Sequence, residues 1–180
     1  MKKVALVLVL AVVMSAGAFA QHPDGWAVGA GFQFGGHWDN DRGDPGSGLS
    51  LFLKAPQFPI YWGIYADIFD WEFGSVTHFG FRVTGDYFLI HNYLVQDIGL
   101  SWFLGLGGYV GFWHASNGGS ANLLDFGARL PIGLSWMPVD FLEIFLDIAP
   151  SVGFYFWSGD RDSSGLGGGW QGDLGIRFWF

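Results

Sequence analysis

Residues Trp170–Phe180 read W-Q-G-D-L-G-I-R-F-W-F. Taken two at a time, Trp170, Gly172, Leu174, Ile176, Phe178 and Phe180 make one series, apolar throughout. Gln171, Asp173, Gly175, Arg177 and Trp179 make the other, mostly polar or small. A period of two is that of a β-strand with one face in an apolar medium and the other in polar or crowded surroundings. The apolar face carries aromatics at both ends, as a strand crossing a bilayer would.

Seven earlier segments alternate in the same way. Their outward apolar series begin at Trp26, Leu49, Trp62, Phe79, Leu100, Phe126 and Leu142. Most have close to the roughly 9–11 residues that a tilted strand needs to cross a membrane. The chain is 51% hydrophobic, yet it has 30 Gly, no Cys and no long apolar run after its first residues. The expected fold is therefore all-β: an eight-stranded antiparallel up-and-down transmembrane β-barrel. The rival, a soluble barrel with the apolar series inside, is disfavoured by volume, because eight strands enclose little more than side chains or one small ligand. The Leu, Phe and Trp series is too bulky for that space.

Residues 1–20 have the pattern of a cleaved signal peptide. Lys2 and Lys3 precede the apolar Val4–Val13, and Ala18-Phe19-Ala20 makes a small-x-small cleavage site. The barrel domain then occupies 21–180. Removing the two lysines takes the formal charge from −8 to −10, which argues against nucleic acid as a partner.

An even strand number puts both ends of the barrel on the periplasmic side. Ala55–Pro59 and Met137–Asp140 are then periplasmic turns, and His91–Gly99 is a longer periplasmic connection. Asp70–Gly74 is a short outer turn. Gly35–Gly48, Ala115–Asn122 and Ser158–Gly168 are the outer loops. Aromatic girdles follow, with Trp26, Trp62, Trp102, Tyr87, Trp136, Phe178 and Phe180 at the inner edge. Phe34, Phe79, Phe112, Phe126, Phe156 and Trp170 lie at the outer edge.

The inward series carries Asp67, Asp86, Asp125, Glu143, Asp147 and Asp173 against Lys54, Arg82, Arg129 and Arg177. Such charges stay ionised inside a narrow barrel only when paired. Strand neighbourhood suggests Asp67 with Arg82, Arg129 with Asp147, and Glu143 with Arg177, together forming a plug. Nearer the outer mouth, Phe69, Trp71, Tyr109, Trp113, Tyr155 and Trp157 form an aromatic cup suited to a small hydrophobic molecule. Arg42-Gly43-Asp44 in the first outer loop offers a surface for adhesion. Asp39, Asp41 and Asp44 lack the spacing of a calcium loop. Rim groups His37, Asp39, His114, Ser116, Asp160, Asp162 and Ser163 form no nucleophile–base set, and His78 and His91 are isolated. No enzyme, metal or cofactor is expected.

The signal peptide, the eight segments, the girdles and the final Arg177-Phe178-Trp179-Phe180 resemble the small bacterial outer-membrane barrels of the OmpA, OmpX and OmpW class. The resemblance implies an outer-membrane location with loops exposed on the cell surface, and outer-membrane lipid as a partner. It also implies recognition of Phe178 and Phe180 by the barrel-assembly machinery. OmpW-like members suggest a small hydrophobic ligand, and OmpX-like members suggest host surface proteins. The protruding strands typical of the latter are not evident in the sequence.

Overall fold

In the computed structural model, residues 25–37, 47–67, 77–116, 120–159 and 163–180 are described. The expected signal peptide, the Arg42-Gly43-Asp44 loop, Phe69 and Trp71 lie outside them. The strands are β1 (Ala27–His37), β2 (Gly48–Lys54), β3 (Tyr61–Asp67), β4 (Thr77–Val95), β5 (Leu100–Ser116), β6 (Ser120–Arg129), β7 (Ile132–Val139), β8 (Leu142–Ser158) and β9 (Ser163–Trp179). All neighbours are antiparallel. β5 pairs with both β6 and β7, β8 does the same, and β9 pairs with β1. The pairings therefore run in a ring of eight positions, the sixth shared by β6 and β7.

That sixth strand breaks at Leu130–Pro131. Proline has no N–H to give to the ladder, and Pro131 is fully buried. Its carbonyl still accepts from the Gly105 N–H at 2.7 Å, while the Leu130 N–H donates to the Pro150 carbonyl at 2.9 Å. The wall stays joined across the break.

The register fixes the stagger of the ring. Starting at Ala30, the partners run Leu51, Ile64, Val83, Val110, Phe126, Phe154 and Leu166. Yet Ala30 itself pairs with Ile176, ten residues further along β9 than Leu166. With strands about 4.8 Å apart and a rise of about 3.3 Å per residue, this shear tilts the strands by about 40°. One residue then advances roughly 2.5 Å along the barrel axis.

Three connections differ from the sequence expectation. β4 runs on to Val95, with register shifts at Phe88/Ile90 and Tyr93/Val95. The extra residue at Leu89 inverts the phase of the alternation, so His91 turns inward and is buried instead of sitting in a periplasmic loop. A short 3-10 turn at Gln96–Ile98 and Gly99, whose φ is 68°, complete the connection. β8 and β9 continue through most of the expected Ser158–Gly168 loop, pairing as far as Trp157 with Ser163. β5 and β6 likewise reach Ser116 and Ser120. The strands on this side are thus longer than the sequence reading allowed.

The alternation itself holds around the ring. Val28, Leu51, Ile64, Phe81, Leu106, Phe126, Leu134, Leu146, Leu174 and Phe178 are exposed outward, while Arg129, Glu143, Asp173 and Arg177 are buried inside. No charged side chain interrupts the outward apolar belt among the described residues. Such a surface is stable only in hydrocarbon, where a charge at midplane costs about 2–4 kcal/mol.

Candidate functional site: the barrel lumen and its outer mouth

The middle of the lumen is built around Arg129 on β6. Its Nε lies 3.3 Å from Asp86 Oδ1, and its Nη2 lies 3.7 Å from Asp147 and 3.5 Å from Asp173. Its Nη1 donates to Gln171 Oε1 at 2.9 Å. Three strands, β4, β8 and β9, thus send a carboxylate to one guanidinium. The Tyr65 hydroxyl donates to Asp173 Oδ2 at 3.1 Å from β3.

A second cluster lies toward the periplasmic end. Arg177 Nη1 donates to Glu143 Oε1 at 3.0 Å, the Ser135 hydroxyl donates to the same oxygen at 2.7 Å, and Trp179 Nε1 donates to Oε2 at 3.0 Å. The Arg177 guanidinium also lies 3.6 Å from the centre of the Phe145 ring. The third cluster faces the outer mouth, where Arg82 approaches Asp125 at 3.7 Å. Its guanidinium lies 4.7 Å from the Trp113 ring centre and 5.3 Å from that of Tyr109.

Arg129–Asp147 and Arg177–Glu143 come together as strand neighbourhood suggests. Arg82 reaches Asp125, which the sequence reading did not pair with it, and the Asp67 side chain lies outside the described set. The signal for the missed pair is a glycine. Arg82 and Asp125 both flank Gly111 in register, and Asp86 and Arg129 both flank Gly107. A Cβ at Gly107 would collide with the Asp86 side chain, and one at Gly111 with those of Trp113 and Asp125. Each glycine opens a bridge between charges two strands apart.

Of the aromatic cup, Tyr109, Trp113, Tyr155 and Trp157 are among the described residues, and Arg82 occupies the space beside the first two. Tyr109 and Trp113 close on Arg82, while Trp157 is partly exposed at the rim. Tyr155, Tyr109, Arg82, Asp125 and Ser151 line a recess with about 20 Å³ of room for water. That holds about one water molecule, far less than the ~300–1,000 Å³ of a ligand pocket.

His91 Nε2 lies 2.8 Å from Ser101 Oγ, a nucleophile–base distance. The Ser101 hydroxyl, however, donates its proton to the Ser135 carbonyl at 3.1 Å. His91 Nε2 must therefore carry its own proton and donate, so it is not placed as a base. Both side chains are buried. Of the rim groups, His114 Nδ1 meets Asn122 Oδ1 at 2.8 Å on the outward face, and Ser163 begins β9. Asp39, Asp160 and Asp162 lie outside the described residues, as do the side chains of His37, His78 and Ser116. Among the described residues no group of acids and histidines is arranged to hold a metal ion.

An antiparallel ring with an apolar exterior and an ion-filled interior defines a small outer-membrane β-barrel, porin-like in architecture. The family model described as a protein of unknown function, DUF3996, matches residues 43–178, and the chain belongs to that family. No curated protein matches the sequence significantly. Solved structures that share the fold include the following three. Ail, the attachment invasion locus protein of Yersinia pestis, is 14% identical with a TM-score of 0.52, the match covering 87% of this chain and 99% of that one. Neisserial surface protein A is 12% identical with a TM-score of 0.51, covering 86% and 97%. The N-terminal β-barrel domain of Pseudomonas aeruginosa OprF is 11% identical with a TM-score of 0.51, covering 87% and 98%. The fold and its uncharged apolar exterior place the protein in the bacterial outer membrane.

Proposed function

We propose that the protein is a non-enzymatic, sealed outer-membrane barrel that acts through its extracellular rim and loops on other surfaces, host proteins included. The observation that carries this reading is the Arg129 cluster. One guanidinium and three carboxylates from β4, β6, β8 and β9 cross the lumen, so the interior is occupied by the barrel's own side chains. Activity is thereby directed to the outer ends of β4, β5, β6, β8 and β9 and to the loops joining them. Arg42-Gly43-Asp44 is the segment proposed to make contact. Phe178 and Phe180, both facing outward on the closing strand, are proposed to be read by the assembly machinery, and residues 1–20 to direct export.

Uptake or binding of a small hydrophobic molecule through Phe69, Trp71, Tyr109, Trp113, Tyr155 and Trp157 is the less supported reading. Tyr109 and Trp113 already cover Arg82, and the recess beside them is the size of a water.

The test combines one measurement on the reconstituted protein with one on cells. Planar-bilayer recordings should show no steady conductance, and cells displaying the protein should attach to immobilised host surface proteins. Arg42→Ala with Asp44→Ala should reduce attachment while leaving the folded fraction unchanged. Open-channel conductance, or attachment no greater than that of cells without the protein, would overturn the reading.

A further inference from the structure

The outward apolar face is not of equal height around the ring. On β1 it runs from Trp26 to Phe34, eight residue steps or about 20 Å along the axis. On β8 it runs from Leu142 to Phe156, fourteen steps or about 35 Å, compared with the ~25 Å band of a typical outer-membrane barrel. On β9, Leu166 sits four residues beyond Trp170, roughly 10 Å higher. Trp170 makes an edge-to-face contact with Phe34, 6.1 Å between ring centres, and so marks the outer girdle there. Leu166 is 65% exposed and its cross-strand partner Phe154 is 54% exposed. Phe126 packs against both Phe154 and Phe156, with ring centres 6.2 and 6.1 Å apart, and Leu124 is exposed beside them. The result is an aromatic wall standing above the level of Trp170 and Phe34, and it includes Phe126 and Phe156, which the sequence reading put in the outer girdle itself.

A polar row ends this wall. His114 pairs with Asn122, Asn122 pairs with Ser158, and Ser164 pairs with Phe156. All four lie on the outward face, just beyond Phe112, Leu124, Phe156 and Leu166. The change from apolar to polar thus falls within roughly 6 Å of height across four neighbouring strands, as at a hydrocarbon–water boundary. The patch is also continuous with the lipid-facing belt below it. Leaning the barrel does not remove the excess, because Val95, Ile98 and Phe141 expose apolar surface at the periplasmic end of the same side. Tilting one end into the bilayer would drive the other out.

We propose that the β5–β6–β8–β9 sector is a lipid-docking surface that takes acyl chains about 10 Å beyond the outer aromatic girdle, gathering long-chain lipid on one side of the barrel. Hydrocarbon matching of this kind orders lipids by chain length around a protein. The sector lies on the outward faces of strands whose outer ends also carry the proposed contact loops, but the labels read lipid contact and the attachment assay reads the loops, so either idea can fail alone.

The chain has no cysteine, so single nitroxide labels can be placed at Leu166→Cys and Ser164→Cys. The labelled proteins are reconstituted in vesicles of long-chain phosphatidylcholine, about 22 carbons per chain. The label at 166 should collide with dissolved oxygen and be shielded from a water-soluble nickel chelate, while that at 164 should show the reverse. In shorter-chain vesicles the shielding at 166 should fall several-fold. Phe156→Cys provides the same reading from β8 should either variant fail to fold. Equal nickel access at 164 and 166 in long-chain vesicles would overturn the proposal. So would spin–spin broadening at 166, which would indicate a second copy of the chain on this face.

Discussion

Replacing Arg129 with Met removes the only guanidinium within ion-pair distance of Asp86, Asp147 and Asp173 among the described residues. Met fills much of the same volume, so the loss is chiefly electrostatic. Breaking a buried pair by removing one partner costs about 3–5 kcal/mol, because the other charge is left uncompensated. Here three carboxylates from three strands are stranded together, and Gln171 loses the donor at 2.9 Å. The upper part of that range, about 4–5 kcal/mol, is expected. With a urea dependence of about 2–3 kcal/mol per molar, the unfolding midpoint should fall by roughly 1.3–2.5 M. Tryptophan emission of the protein folded into lipid vesicles, followed in urea, measures this. Adding Asp147→Asn and Asp173→Asn to the Met variant should recover more than half of the loss, since two of the three stranded carboxylates are then gone. A midpoint within about 0.3 M of the parent, or no recovery in the triple variant, would refute the electrostatic account.

The second cluster should be more tolerant. Arg177→Met is expected to cost about 2–3 kcal/mol in the same assay, less than Arg129→Met, because Ser135 and Trp179 still donate to Glu143. Two adjacent glycines should behave oppositely. Gly107→Ala puts a methyl against Asp86 and should lower stability by about 1–3 kcal/mol, whereas Gly108→Ala faces outward with its nearest neighbour at 3.5 Å and should be close to neutral. Leu174→Arg, in the middle of the outward belt, should cost about 2–4 kcal/mol in vesicles, and Ser164→Arg in the polar row should cost little. Phe178→Ala together with Phe180→Ala should lower the yield of inserted barrel in vesicles carrying the assembly machinery more than in detergent micelles, as judged by protease resistance.

The parts of the fold legible in the sequence are those governed by strict alternation. Every described residue of the Trp170–Phe180 series faces as its parity requires, because a period of two leaves one degree of freedom per strand. The misreadings fall where that period is interrupted. The bulge at Leu89 shifts the phase, so His91 reads as a connection residue although it lies inside β4. Pro131 divides what reads as one strand into two. Ser163–Gly168 reads as part of a loop because Gly and Ser normally mark turns. In a barrel wall, small residues are compatible with pairing when bulky neighbours such as Tyr155 lie over them. The Arg82–Asp125 contact was hidden for a related reason. Looking only at adjacent strands omits the case where a glycine lets a side chain reach the strand beyond. In the cup, residue type marked the aromatic positions, but nothing in one sequence could say that Arg82 would occupy the space between two of them.

Four inward side chains of β9 complete the lumen: Gln171 and Asp173 meet Arg129, and Arg177 and Trp179 meet Glu143. Before this strand docks, an open sheet would hold a buried arginine and glutamate short of their partners while two edges remained unpaired. Zipping the seam and completing the partners of Arg129 and Glu143 are therefore the same event. A barrel interrupted one strand early would lack both its last ladder and these buried contacts, so partly assembled intermediates have little stability of their own.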